Sequence, residues 1–103
     1  MDPYEHPESP SAPADLLRHH RTDIDRVDRV IVALLAERLR LGLALGDVKR
    51  THGLPVQSTG REEEVLASVR TAACAYGWLP PEAVERIFSA VIAETRAVQE
   101  GRE

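Results

Sequence analysis

Residues 16–50 contain no proline, and their apolar side chains recur at the spacing of one helix face. Ile24, Val27, Ile31, Leu34, Arg38, Leu41, Leu45 and Val48 follow alternating steps of three and four. A seam sustained over that many turns predicts a single long helix. Its thirty-five residues would span roughly 52 Å, whereas a compact chain of about 100 residues has a radius of gyration of only about 13 Å. Part of the apolar stripe would then lie in water. The pattern therefore calls for a partner helix from a second chain.

Two cations interrupt this helix. Arg38 occupies the seam itself, where Leu would continue the pattern. Lys49 follows eleven positions later, which returns it to within about 20° of Arg38 and about 16 Å further along. Two long cationic side chains at those stations can reach toward one anion. Arg21 lies about 26 Å before Arg38 and is rotated by roughly 100° from it. It does not readily serve the same ligand within one subunit, but an antiparallel partner could bring it to the neighbouring pocket. The plainer reading is that Arg38 snorkels and Lys49 is solvated.

A length of 103 residues indicates one domain with a modest core that dimerisation would help to complete. A formal charge of −4, with no basic run, argues against nucleic acid as a partner. Cys74 is the single cysteine, so neither a disulfide framework nor a cysteine-based zinc site is expected. In AACAYG it reads as a small core residue. No apolar run reaches membrane-spanning length, and the acidic, proline-rich start does not resemble a signal peptide. A cytoplasmic protein without membrane contact is the expectation.

Residues 1–14 read as a disordered tail, with four prolines and little apolar surface to offset ordering. His6 lies there without a second ligand at helical spacing, and no metal is expected. Asp15 reads as the N-cap of the long helix. His19 and His20 are adjacent, so they point about 100° apart and form no metal pair. Gly53 and Pro55 should end the helix. Ser58 or Thr59 can cap a second helix beginning near Arg61.

Glu62, Glu63 and Glu64 suit the positive end of the second helix, and Glu62 is placed to face a ligand. Val65, Leu66, Val69, Ala72 and Ala73 give it an apolar face ending at Gly77. Trp78 and Leu79 should fasten the corner. Pro81 starts a third helix, whose apolar stripe runs to about Gln99. Thr95 and Gln99 share one face of it. The ordered domain is then residues 15–99, and residues 100–103 should fray.

The residues singled out are three cations on the first helix, a carboxylate opening the second, and a hydroxyl and an amide on the third. They include no nucleophile–base pair and no phosphate loop. Such a set suits a small, multiply anionic ligand and a reaction in which charge develops without acid, base or covalent help.

Taken together, the segments LLRHHRTDIDRVDRVIVALLAERLRL, GDVKRTHGLPV, REEEVL and IFSAVIAETRAVQ resemble the all-helical chorismate mutases, in order and in spacing. The resemblance covers roughly residues 16–99. It implies an all-α fold of three helices per chain, entwined as a homodimer with two equivalent pockets. It also implies a cofactor-free Claisen rearrangement of chorismate to prephenate. By that resemblance Arg38 and the partner subunit's Arg21 hold the two substrate carboxylates, and Lys49 and Gln99 donate to the ether oxygen. Glu62 accepts from the C4 hydroxyl, Thr95 helps to bind a carboxylate, and Arg61 supports the pocket from behind.

One position departs from the family's pattern. Three residues before Arg61 the family usually carries Asp, and this chain carries Ser58. That position lies near the C4 substituent, so a mutase acting on 4-amino-4-deoxychorismate in an antibiotic pathway is the alternative reading. A lyase of isochorismate is disfavoured by the Arg61-Glu62 pair. A helical dimerisation or regulatory module that kept the fold and lost the chemistry is a third reading.

Overall fold

The computed structural model describes residues 12–101. Helix α1 runs Pro13–Thr51, α2 Thr59–Cys74 and α3 Pro81–Glu100. Among the described residues there is no strand, and the all-α expectation holds. The chain divides into two units, Met1–Leu34 and Leu35–Glu103.

The described part of the first unit is the start of α1. The helix begins two residues before the expected cap, inside the segment read as a tail. Pro13 explains this, because its fixed φ suits the first turn and its missing N–H would have had no partner there. Asp15 is consequently a first-turn acid, 2.9 Å from Arg18, not the cap. Arg26 and Asp23 form a second pair of the same spacing, also at 2.9 Å. Exposed pairs of this kind contribute about 0.3–0.5 kcal/mol each. Ile24, Val27, Ile31 and Leu34 are all exposed, so this stretch of the seam is unburied within the chain. The remainder of the tail reading, His6 included, lies outside the described residues.

The second unit contains the last turns of α1 with α2 and α3. Helix α1 ends as Gly53 predicts. Gly53 adopts φ +68°, its N–H reaches the Arg50 carbonyl at 3.2 Å, and Leu54 N–H reaches the Lys49 carbonyl at 2.7 Å. This paired arrangement satisfies carbonyls that the helix end would leave open. Ser58 caps α2, accepting from the Arg61 N–H at 3.3 Å. Arg70 on α2 reaches Glu85 on α3 at 2.8 Å and Glu82 at 3.5 Å. Arg50, 2.6 Å from Asp47, also donates to the Gln99 carbonyl at 3.1 Å and ties the end of α1 to the end of α3.

Three expectations are corrected here. Helix α2 ends at Cys74, before Gly77. Cys74 is exposed, because the buried position belongs to Ala73 and the next residue is turned about 100° away from it. Trp78 is 80% exposed and does not fasten the corner as expected. Gly77 at φ +40° turns the backbone so that Leu79 is the half-buried residue at that corner.

The core is thin, with Ala73 and Gln99 at 3% and 7% exposure. Two glycines of α1, Gly42 and Gly46, lie against side chains of α3. A Cβ on Gly42 would stand 2.6 Å from the Thr95 methyl, and one on Gly46 would stand 3.2 Å from Gln99 Cγ. Side chains at those positions would hold α1 and α3 apart.

Candidate active site

A cavity of about 270 Å³ opens within the second unit. Helix α1 contributes Arg38 and Lys49, the following loop Ser58, α2 Arg61 and Glu62, and α3 Thr95, Arg96 and Gln99. Apolar side chains, among them Leu41, Leu45, Val65 and Ile92, fill the wall between them. The pocket therefore carries four cations against one carboxylate. Such a lining favours an anionic ligand with an apolar body.

Several of the polar side chains are oriented by a neighbour. Arg38 donates to the Thr95 hydroxyl at 2.8 Å, and that hydroxyl donates to the Val91 carbonyl at 2.8 Å. The guanidinium keeps further N–H groups, which can grip a carboxylate. Lys49 Nζ donates to the Val56 carbonyl at 3.1 Å, which leaves two of its three donors. Gln99 Nε2 donates to the Gly42 carbonyl at 2.7 Å and retains one hydrogen.

Of the residues singled out from the sequence, Arg38, Lys49, Ser58, Arg61, Glu62, Thr95 and Gln99 meet at this cavity. Arg21 belongs to the first unit, is exposed, and is not among the lining residues. Arg61 lines the pocket, yet its guanidinium pairs with exposed Glu64 at 3.3 Å. Glu62 is held by Arg96, whose Nη2 contacts both carboxylate oxygens at 2.6 and 2.7 Å.

The family model for chorismate mutase type II matches residues 20–100. This chain belongs to the chorismate mutase type II family. A T-protein of Enterobacter agglomerans is 41% identical over 75 residues, which cover 73% of this chain and 20% of that protein. A bifunctional chorismate mutase/prephenate dehydratase of Aquifex aeolicus is 35% identical, over 74% of this chain and 22% of that protein. The chain thus spans about a fifth of the length of these curated relatives. A solved chorismate mutase (form II) from Thermus thermophilus superposes with a TM-score of 0.77 at 32% identity, over 82% of this chain and 93% of that one.

For this family member the sequence reading missed Arg96. The signal was available. Ile92, Thr95, Arg96 and Gln99 follow the steps three, one and three of a single helix face. An arginine on the inward face of an apolar stripe marks a paired or ligand-facing cation, as Arg38 does on α1. No described helix is long and apolar enough to cross a membrane.

Proposed function

We propose that the chain catalyses the rearrangement of chorismate to prephenate. The observation that carries this reading is the meeting of Arg38, Lys49, Glu62, Thr95 and Gln99 at one pocket of a chorismate mutase type II family member. In this intramolecular reaction the ether C–O bond breaks as a C–C bond forms. No proton or group is exchanged with the enzyme, and no cofactor is needed. The pocket has two tasks, to hold a compact conformer and to stabilise charge that grows on the ether oxygen.

Arg38, with Thr95 behind it, binds one carboxylate. Lys49 and the remaining Gln99 hydrogen donate to the ether oxygen. Glu62 accepts from the C4 hydroxyl, near Ser58. The second carboxylate requires another cation, which the partner subunit's Arg21 supplies in a homodimer. The exposed apolar residues Ile24, Val27, Ile31 and Leu34 support such a partner.

The test is turnover of purified protein with chorismate and 4-amino-4-deoxychorismate side by side. Faster conversion of chorismate to prephenate is expected. Preference for the amino compound would move the protein to the other pathway and make Ser58 the first residue to examine. Turnover of neither compound, with no rise in Tm on adding chorismate, would leave the scaffold reading.

A further inference from the structure

The pocket holds one carboxylate, Glu62, and it is neutralised by a cation of the same pocket. Arg96 Nη2 lies 2.6 and 2.7 Å from its two oxygens, and both side chains are about two-thirds buried, at 32% and 27% exposure. Arg96 Nε is buried without a hydrogen-bond partner among the described residues. A buried N–H left unpaired carries a cost. The contact with Glu62 is therefore what decides where this guanidinium sits.

The pairing has two consequences for a ligand. A carboxylate offers about four acceptor sites, and Arg96 occupies two of them. Glu62 can still accept from a neutral hydroxyl, with its orientation already fixed. A ligand ammonium in the same place would meet the Arg96 charge as well as the carboxylate, and the attraction would be offset by like-charge repulsion. Glu62 without Arg96 would be an open anionic subsite suited to an ammonium.

We infer that Arg96 is a positioning residue that sets specificity, holding Glu62 as an acceptor for a neutral hydroxyl and excluding a cationic substituent at that point of the ligand. This rests on the proposed reading of the pocket as a site for chorismate, and it deepens that reading by selecting between hydroxyl and amine.

The experiment compares Arg96→Met and Arg96→Lys with the unaltered protein. It measures kcat/KM for chorismate and for 4-amino-4-deoxychorismate, and Kd for each by calorimetry. The unaltered protein is expected to bind the amino compound about tenfold or more weakly. Arg96→Met should shift the kcat/KM ratio toward the amino compound by about tenfold, and Arg96→Lys should restore most of the original ratio. An equal loss for both substrates in Arg96→Met would reduce Arg96 to a structural brace and overturn the inference. Should Arg96→Met fail to fold, equal affinity of the unaltered protein for the two compounds would overturn it without any variant. Binding also separates the two proposals. Selective binding without turnover of either compound sinks the mutase reading alone, whereas turnover with equal binding sinks the role of Arg96 alone.

Discussion

Gln99 on α3 donates its side-chain amide to the backbone carbonyl of Gly42 on α1 at 2.7 Å. The contact requires both partners to be what they are. Gly42 brings the α1 backbone within reach because it has no Cβ to meet the Thr95 methyl. Gln99 is long enough to bridge to a carbonyl and still face the cavity. Packing and chemistry therefore depend on the same two positions.

Gly42→Ala should disturb both. Its Cβ would lie 2.6 Å from Thr95 Cγ2, so Thr95 must move, and the hydroxyl that receives Arg38 moves with it. Overpacking costs about 1–3 kcal/mol, of which better helix propensity returns up to about 1 kcal/mol. Chemical denaturation should show a net loss, and chorismate KM should rise. Gly60→Ala is the control, since a Cβ there meets nothing within 4 Å. An unchanged midpoint and KM in Gly42→Ala would show that the helices adjust freely.

Lys49→Ala should leave the fold intact and lower kcat by about 10²–10³-fold, the loss typical of removing one donor to a developing oxyanion. Its ammonium donates to the Val56 carbonyl of the adjoining loop, a local contact that commits little stability to this side chain. A circular dichroism melt together with a turnover assay checks both halves. Near-normal kcat would remove Lys49 from the chemistry.

The sequence displayed some of these relationships and concealed others. The seam, Gly53, Pro81 and the Ser58 cap were legible because each acts over one or two turns. Gly42 and Gly46 were visible as glycines, but their purpose depends on where α3 packs, which no local pattern states. The outward turn of Trp78 and Cys74 had the same cause, since burial of a short apolar run is decided by the neighbouring helix. Arg96 showed itself only in part: the helix period places it on the inward face of α3, but its carboxylate partner lies 34 positions earlier, a pairing that no local pattern states.

The contact between Arg70 and the start of α3 makes a prediction in pH. The Glu82 carboxyl is held below its ordinary 4.5, chiefly by a hydrogen bond to its own backbone N–H and further by the Arg70 charge. A group depressed on folding contributes stability above its unfolded pKa and loses it as pH falls through the folded value. The unaltered protein should therefore be more stable than Glu82→Gln by a constant margin near neutrality. The margin should begin to close below pH 4.5 and vanish once Glu82 is protonated in both states. Urea titrations at several pH values measure it. A margin that widened on acidification would contradict the assignment.

The proposed partner contribution of Arg21 can be tested without a structure of the dimer. Arg21→Ala and Arg38→Ala chains should each be nearly inactive alone. Mixed by unfolding and refolding, half of the dimers formed at random join one chain of each kind. In those, one pocket combines the intact Arg38 of one chain with the intact Arg21 of the other, and the second pocket lacks both. Activity should recover to about a quarter of that of the unaltered protein. Arg21 acting within its own chain would give no intact pocket in any dimer, and the mixture would then be as inactive as its components.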